Sequence, residues 1–489
     1  MAAEDRGKGV SNDVSNGVSR RPLHAELLRA DERVIRAREL LREAFADRRR
    51  WIASVREPDP DRRTSYEQAL RELARLRGGA LFHPYLGSGF GHGPFVELAD
   101  GSVKYDMITG IGVHALGHAH PAIVDSAFEA MLGGTVMQGN LQQNVESLAL
   151  CETLTALARS SGAPLAHCFL TTSGAMANEN ALKLVFHHRS PADRILAFEG
   201  AFAGRTIALA QITDRPSYRA GLPQALEVDY VPYFEPHDPQ GSSLRAREAL
   251  DSHLARHRGG HAAMIFELVL GEGGFQPGTA EFFVPLMERV KGADVAVLVD
   301  EIQTFGRTTR PFAFQHFGLD RYVDLATVGK MSQVCATLFR DAYVPPPGLI
   351  SQTFTGATAA ILAARATIEG LESAGCFGPD GRNARVHAHF VERLEAIAAR
   401  HPDLVRGPYG LGAMIAFTAL DGRAETTKAV LADLFEEGVV AFSAGEDPMR
   451  IRFLPPVAVL EAADVDAVCA ILEHVLVRAA KRSKSEIAP

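Results

Sequence analysis

The spacing of apolar and polar residues changes along the chain, and each change marks a different kind of structure. Residues 24–54 carry apolar side chains at helical spacing, which predicts an arginine-rich amphipathic helix. After a break at EPDPDRR, the stretch SYEQALRELARL predicts a second short helix capped by Ser65. From about residue 95 the spacing becomes that of strands, and FVELADGSVKYDM predicts a hairpin with an Asp-Gly turn.

Continuous apolar runs then alternate with helical segments such as ANENALKLVFHH. The runs are AHCFLTT, RILAFE, AAMIFELV, DVAVLVDE and VDLATVG. Runs of this kind are typical of strands in a mostly parallel sheet that is covered by helices on both faces. Beyond about residue 356, an alanine-rich helix, the run AMIAFTAL and a final helix after RIRFLPP predict a smaller α+β domain.

These patterns divide the chain into four parts. We predict a disordered tail over residues 1–23, a helical extension over 24–84, a large domain with its N-terminal segment over 85–355, and a small domain over 356–489. The tail is polar and lacks the apolar segment of a signal peptide. Acids alternate with arginines in the extension, so we expect it to pack on the body or on a partner subunit, with an RNA-binding arm as the alternative.

Composition and charge narrow the classes of function. The 489 residues are 46% hydrophobic and 22% charged, as in soluble globular proteins, and the net charge of −8 argues against a general nucleic-acid binder. No apolar stretch approaches the roughly 20 residues needed to cross a bilayer, so no membrane partner is expected. The five cysteines are scattered without a CxxC pair, which favours reduced thiols and a cytoplasmic location.

Small residues follow the run CFLTT and begin a predicted helix: Ser173, Gly174 and Ala175. Backbone N–H groups at a helix N-terminus can hold a phosphate group, although Ser-Gly is also an ordinary helix cap. After RILAFE comes GAFAGRT, which contains Phe202 and Arg205. An arginine in such a loop suits a carboxylate or a phosphate, and a surface turn is the alternative.

Acids and one lysine follow the remaining runs. Glu267 ends its predicted strand and Glu272 lies among glycines, and each is either functional or a hydrogen-bonded structural carboxylate. Asp300 follows the run VAVLV, and a carboxylate buried at the rim of a sheet requires a cation or a donor. Lys330, in LATVGKMSQVCATLF, has no acid near it in sequence. Such a lysine extends to solvent, pairs with a distant acid, or is used chemically at a lowered pKa.

Together these residues fit pyridoxal 5'-phosphate (PLP). An aspartate beside the pyridine nitrogen keeps it protonated, and a lysine forms a Schiff base with the aldehyde. Asp300 and Lys330 have these chemistries; NAD binding and a structural role are the alternatives.

Two other motifs predict no site. The glycine-rich GSGFGHG (87–93) precedes no helix and is expected to be a flexible loop, and His118 and His120 lack a third metal ligand nearby, so no metal is expected.

The motifs resemble those of the class III aminotransferases. The resemblance covers about residues 85–485 and rests on LADGSVKYDMITGIGVHALGHAHP, TTSGAMANENALKL, GAFAGRT, FELVLGEGG, VDEIQTFGRT, GK, TFTG and IRFLPP. It implies the α/β fold of the fold type I PLP-dependent transferases, with a mostly parallel sheet in a large domain and a smaller α+β domain. It also implies PLP as the cofactor and a homodimer.

The resemblance assigns roles around the cofactor. The turn Ser173–Ala175 corresponds to the phosphate-binding turn, and Phe202 to the ring that stacks on the pyridine. Asp300 corresponds to the aspartate paired with the pyridine nitrogen. Ile302 corresponds to the residue packed behind the ring, and Gln303 to the partner of the phenolic oxygen.

It also assigns roles toward the substrate and the partner subunit. Lys330 matches the Schiff-base lysine that carries the proton, and Thr353 the threonine that reaches the other subunit's phosphate. Arg205 matches an arginine that binds a substrate carboxylate. Arg452 matches a second carboxylate site, which an acid corresponding to Glu272 gates.

The sequence departs from the usual motifs of the family at Ala203, Leu268, Leu270 and in the shortened DEIQTFGRTT that ends at Thr309. GKMSQVCATL resembles the GKxxQVC stretch of the lysine 6-aminotransferases. We therefore expect ping-pong transfer from the terminal amine of L-lysine or a related amino acid to a 2-oxo acid, 2-oxoglutarate. The alternatives are an ornithine, acetylornithine or 4-aminobutyrate transaminase, an aminomutase, and, from another class, a non-catalytic scaffold.

Overall fold

The computed structural model describes residues 21–133 and 137–487 as a mixed α/β protein. Of the predicted tail, only residues 21–23 are within the described residues, and they precede the first helix without regular structure. In the two described ranges, no helix is both long and apolar enough to cross a membrane. The division into domains at residues 84/85 and 355/356 stays a prediction.

The N-terminal extension forms three helices, α1 (His24–Arg29), α2 (Glu32–Arg49) and α3 (Pro60–Arg77). The predicted helix of residues 24–54 is interrupted because the carboxylate of Asp31 caps α2. The predicted cap at Ser65 is wrong. Helix α3 begins earlier because Asp59 caps it and Pro60 takes its first position.

The next segment contains the predicted hairpin. It forms β1 (Gly87–His92), β2 (Phe95–Leu98), β3 (Val103–Asp106), α4 (Thr109–Gly112), α5 (Pro121–Leu132), β4 (Met137–Gln138) and α6 (Val145–Arg159). Strands β2 and β3 pair antiparallel across a turn in which Gly101 has a φ of 85°. The expectation of a flexible loop at 87–93 is wrong, since β1 pairs with β2. A Cβ at Gly91 would lie 2.5 Å from the Cβ of His118, so this glycine permits close packing.

Acidic side chains of α5 and α6 hold the extension. Glu129 binds both Arg29 and Arg38, and Asp125 binds Arg42 with an Oδ2–Nη2 distance of 2.7 Å. No residue of α2 is buried, and four apolar side chains of α1 and α2 are 43–50% exposed: Leu27, Leu28, Ile35 and Leu40. Arginines therefore hold α1 and α2 on the body and four of their apolar side chains stay exposed, whereas Ile52 and Tyr66 farther along the extension are buried.

The middle of the chain alternates strands and helices as predicted. Its elements are β5 (His167–Thr171), α7 (Gly174–Arg189), β6 (Arg194–Phe198), α8 (Leu209–Ile212), α9 (Pro216–Arg219), β7 (Glu227–Val231), α10 (Pro239–Arg256), β8 (His261–Phe266), β9 (Val269–Leu270), β10 (Gln276–Pro277), α11 (Ala280–Gly292), β11 (Ala296–Glu301), α12 (Ala313–His316), β12 (Leu325–Val328), β13 (Cys335–Phe339) and β14 (Gly356–Ala357). All five predicted apolar runs contain strands.

Seven of these strands form the central sheet, in the order β5-β13-β12-β11-β8-β6-β7. Its neighbours pair in parallel except that β13 runs antiparallel to both β12 and β5. Strands β8, β11, β12 and β13 are fully buried, with an apolar cluster on each face of the sheet. This burial explains why their sequences are continuously apolar.

The C-terminal part forms α13 (Thr358–Ser373), α14 (Arg382–Arg400), β15 (Val405–Leu411), β16 (Met414–Ala419), α15 (Ala424–Glu436), β17 (Val439–Val440), β18 (Phe442–Ala444), β19 (Arg450–Phe453) and α16 (Ala462–Ile487). Its antiparallel sheet has the order β15-β16-β19-β18. Strand β17 instead pairs parallel with β3, which joins this part to the N-terminal segment.

Candidate active site

Several of the predicted site residues lie at the carboxyl ends of the central strands. Strands β11 and β12 are parallel neighbours in which Asp300 lies beside Thr327. Lys330 follows the end of β12, so the aspartate and the lysine emerge at one edge of the sheet. The predicted phosphate-binding turn, Ser173–Ala175, follows β5, whose end lies at the same edge because β5 and β12 both run antiparallel to β13. The strand order thus places these residues where open α/β sheets bind ligands.

Asp300 is a buried carboxylate with a fixed donor at each oxygen. Its Oδ1 accepts from the backbone N of Ile302 at 2.9 Å, and its Oδ2 accepts from Asn178 Nδ2 at 2.8 Å. Burial raises the pKa of Asp300, while these two hydrogen bonds and the positive charge of Lys330 oppose the rise. The site therefore presents an oriented acid that a cationic partner would hold in its ionised form.

Lys330 combines an unusual backbone with a lowered pKa. Its φ is 51°, a left-handed conformation that side chains other than glycine rarely adopt. Burial lowers the pKa of Lys330, the charge of Glu272 raises it, and that of Arg452 lowers it further. A lysine in this state is more readily neutral, and hence nucleophilic, than one in water.

The turn Ser173–Ala175 begins α7. Ser173 Oγ caps this helix by accepting from Met176 N at 3.2 Å. A Cβ at Gly174 would lie 2.9 Å from the side chain of Ile302, and a Cβ at Gly329 would lie equally close to it. Ile302 therefore packs against both the turn Ser173–Ala175 and the residue before Lys330, and a side chain at Gly174 or Gly329 would displace it.

Glu267 connects two loops of the site. Its Oε2 accepts from Phe202 N at 3.0 Å and its Oε1 from Gly271 N at 2.8 Å. Burial, followed by the nearby charge of Asp300, raises the pKa of Glu267 to about 8. Of the two roles left open for this acid, the hydrogen bonds match the structural one, and they hold the backbone of Phe202 in place.

The residues Gly271–Gly274, here called the Glu272 loop, carry an acid toward strand β19. Glu272 Oε1 accepts from Arg452 Nη2 at 2.7 Å, and Arg452 Nη1 donates to Gln303 Oε1 at 3.2 Å. Arg452 is fully buried, whereas the side chain of Glu272 is 22% exposed. The structure thus brings Gln303, Arg452 and Glu272 together near Lys330.

Two other predicted site residues, Arg205 and Thr353, are exposed. Arg205 is exposed, with its guanidinium 3.9 Å from the ring centre of Tyr218 and 5.9 Å from that of Phe202. Thr353 is exposed beside an open groove of about 910 Å³ that includes Leu141 and Phe354.

The sequence model of the family Aminotransferase class-III matches residues 89–476. The chain belongs to the class III aminotransferases. It is 30% identical over 410 residues to the L-lysine-epsilon aminotransferase of Mycobacterium tuberculosis, covering 78% of this chain and 89% of that protein. It is 31% identical over 401 residues to the acetylornithine aminotransferase of Gloeobacter violaceus, covering 79% and 92%.

Solved structures share the fold of this aminotransferase. The lysine aminotransferase from M. tuberculosis in the internal aldimine form superposes with a TM-score of 0.74 at 24% identity, covering 84% of this chain and 99% of that one. The ornithine aminotransferase of Toxoplasma gondii gives 0.72 at 20% identity, covering 85% and 96%. The prediction of a fold type I PLP-dependent transferase is therefore confirmed.

As a class III aminotransferase, the protein is a PLP-dependent transaminase that acts on an amino donor and an oxo-acid acceptor. The residues present fit this cofactor. Asp300 is a buried, oriented acid, Lys330 has a lowered pKa, and the N-terminus of α7 faces the same edge of the sheet. When bound, PLP supplies an aldehyde that condenses with amines and a ring that withdraws electrons from the adjacent carbon.

Asn178 is a site residue that the sequence analysis missed. Its Nδ2 donates both to Asp300 and to the carbonyl of Ala203 at 2.8 Å, and its Oδ1 accepts from Thr327 Oγ1. It joins α7, β11, β12 and the loop of Phe202. One signal was present: an asparagine one helical turn after Gly174 lies on the buried face of a helix, where a polar side chain requires a partner.

Proposed function

We propose that this enzyme transfers the terminal amine of L-lysine, or of a related amino acid, to 2-oxoglutarate in ping-pong order. The observation that carries the proposal is the ion pair between Glu272 and Arg452 beside Lys330. A donor with a distal amine brings no carboxylate to this position, so Arg452 needs a counter-charge of its own. The name of the lysine-specific relative, at 30% identity, supports the same substrate class.

In this proposal Lys330 has two tasks. With PLP bound, its amine would hold the aldehyde of the cofactor, and its Nζ would take the proton from the donor carbon that bears the amine. The lowered pKa supports both tasks because each requires the neutral amine. Asp300 holds a positive charge on the pyridine nitrogen, and the donors at Ile302 and Asn178 keep its carboxylate aimed at one point.

Glu272 and Arg452 form the proposed switch between the two substrates. While the donor is bound, Glu272 neutralises Arg452. When 2-oxoglutarate binds, Glu272 turns away, and Arg452 and Arg205 each take one of its carboxylates. Arg452 Nε has no hydrogen-bond partner among the described residues, which leaves it a free donor for an incoming carboxylate.

We also propose that the protein acts as a homodimer in which Thr353 contacts the phosphate held by the other subunit. Thr353 is exposed in one chain, and so are apolar residues near it and at the start of α6: Leu141, Val145, Leu148 and Phe354. Exposed apolar residues in such numbers are typical of a subunit interface. Light scattering of the purified enzyme tests whether it is a dimer. Thr353→Ala should weaken the binding of PLP while the dimer stays intact.

A panel of amino donors tests the substrate. L-Lysine, L-ornithine, N-acetylornithine and 4-aminobutyrate are each supplied with 2-oxoglutarate, and kcat/KM is measured. We expect the highest value for L-lysine. A clear preference for N-acetylornithine would replace the donor in this proposal by that of the Gloeobacter relative. The variant Lys330→Ala serves as the blank, because activity that it retains cannot come from this site.

A further inference from the structure

The Glu272 loop is held at its backbone by groups from three other parts of the chain. The carbonyl oxygen of Glu272 accepts from Gly445 N at 2.8 Å and from Arg215 Nη2 at 3.0 Å. At the end of the loop, the carbonyl of Gly274 accepts from Arg450 Nη1 at 2.6 Å. The loop between β9 and β10 is thus held at two carbonyls and, through Glu267, at the N–H of Gly271, while the Glu272 side chain is bound by Arg452.

These backbone hydrogen bonds matter because the Glu272 loop is rich in glycine. Glu272 is flanked by Gly271 on one side and by Gly273 and Gly274 on the other, and Gly274 has a φ of 106°. Glycine loses more conformational freedom on ordering than any other residue. A carboxylate on such a loop meets Arg452 in one geometry only if something outside the loop fixes its backbone.

Arg215 is in a position to fix the backbone of this loop. Its side chain is 16% exposed, and its second guanidinium nitrogen, Nη1, pairs with Glu446 in the loop after β18. Asp214, the preceding residue, accepts from Gly200 N at 2.9 Å, and its own N–H donates to the carbonyl of Ala201. The segment at 214–215 therefore holds both the loop of Phe202 and the backbone of Glu272.

We propose that Arg215 is a positioning residue for the carboxylate switch. Its guanidinium binds the carbonyl oxygen of Glu272 and the carboxylate of Glu446. By fixing the carbonyl of Glu272, it lowers the entropy lost when Glu272 pairs with Arg452, and so strengthens that pair against a competing carboxylate. The proposal rests on the switch between Glu272 and Arg452 put forward above.

Competition by glutarate tests it. Glutarate has two carboxylates and no oxo group, so it binds the holoenzyme without being transaminated, and calorimetry gives its Kd directly. Glu272→Ala should lower this Kd by about tenfold, because Arg452 loses its internal counter-charge. Arg215→Met should lower the glutarate Kd by about fivefold. Without Arg215 the glycine-rich Glu272 loop is less ordered, so Glu272 loses more entropy when it pairs with Arg452 and competes less well with glutarate. Arg215→Lys retains one donor and should stay within about twofold of wild type.

A double-mutant cycle identifies the route of the effect. If Arg215 acts through Glu272, adding Arg215→Met to Glu272→Ala leaves the glutarate Kd unchanged within about twofold. In steady-state kinetics, Arg215→Met should raise KM for the donor while kcat stays near wild type. The control is Arg245→Met, which removes an arginine that pairs with Glu235 and Asp238 on the surface.

The outcomes separate this inference from the proposed function. If Glu272→Ala shifts the glutarate Kd and Arg215→Met does not, the role of Arg215 is refuted and the switch stands. The same refutation follows if Arg215→Met has an equal effect with and without Glu272. If Glu272→Ala itself leaves the Kd unchanged, the switch fails, and the role of Arg215 fails with it. Thermal melting of each variant checks that the comparison is made on folded protein.

Discussion

The sheet edge at Asp300 and the Glu272 loop hold their charges in opposite ways. Each oxygen of Asp300 accepts a hydrogen bond from a fixed donor. One donor is the backbone N–H of Ile302 just after β11, and the other is the side chain of Asn178 on α7. Glu272 instead extends from a loop of glycines and has one charged partner, Arg452, on a different sheet. The first arrangement keeps one charge pattern for every substrate. In the proposed switch, the second lets a carboxylate exchange partners between the two substrates.

The largest effect is expected at the rigid edge. Lys330→Ala should lower transaminase activity by about a thousandfold or more, because it removes both the nucleophile and the proton carrier. Absorbance spectroscopy should also show loss of the yellow band of the holoenzyme. The exposed Lys428→Ala is the matched control. Activity within tenfold of wild type in Lys330→Ala would show that another group carries the chemistry.

Asn178→Ala tests whether the fixed donors matter at that edge. Removing the amide leaves Asp300 Oδ2 without its donor and frees the carbonyl of Ala203, so we expect kcat/KM to fall by about thirtyfold. Asn180 lies on the same helix, is equally buried, and makes no hydrogen bond to Asp300. Asn180→Ala should therefore affect melting temperature alone. Equal loss of activity in the two variants would indicate a general effect on helix α7.

Glu272→Ala tests the exchangeable side of the comparison. Without this acid, Arg452 is open to a carboxylate in both half-reactions, so activity toward α-amine donors should rise about tenfold relative to terminal amines. The ratio of kcat/KM for L-glutamate and L-lysine measures the change. The exposed Glu281→Ala should leave the ratio as it is. An unchanged ratio in Glu272→Ala would refute the switch.

The smallest effect concerns Glu267, which accepts from Gly271 in the Glu272 loop and whose pKa the charge of Asp300 raises. Burial raises its pKa to about 8, so the folded protein keeps a proton that the unfolded chain releases near pH 4.5. In the cofactor-free protein, Glu267 should contribute most to the free energy of unfolding below pH 4.5. This contribution should be lost as the pH rises toward 8. Glu267→Gln removes the titration, so its melting temperature should depend less on pH over this range.

The control for that measurement is Glu395→Gln, at an exposed position on α14. It should retain the pH dependence of the wild type. Since a glutamine can accept from only one of the two N–H groups at Phe202 and Gly271, the Glu267 variant should also melt lower at acid pH. An unchanged slope of melting temperature against pH would show that other buried acids, such as Glu301, dominate.

The central sheet was predictable because its strands are buried on both faces. Apolar runs such as DVAVLVDE predict strands directly, and Asp300 and Lys330 stand out as charges that end such runs. Strand β1 was not predictable in this way. Its glycines carry no apolar signal, and its pairing depends on close packing at Gly91 against His118, far along the chain.

The site was predictable wherever a residue follows its own strand. The role of Asn178 depends on three partners at separate positions, Asp300, Ala203 and Thr327, and no local pattern indicates that they meet. The same holds for Arg215, whose bond to Glu272 joins segments 57 residues apart. Charges that end apolar runs are visible in a sequence, whereas side chains that hold another residue's backbone are not.

The six residues between β12 and β13 limit how this enzyme can change over evolution. Strand β13 turns back directly after them and is wedged between β12 and β5, with Val328 opposite Ala336. An insertion or deletion at 329–334 would shift the lysine or break that pairing, so lineages are expected to keep this length constant. Changes around positions 214 and 445 lie outside the central sheet, but they would move the backbone of Glu272, which Arg215 and Gly445 hold.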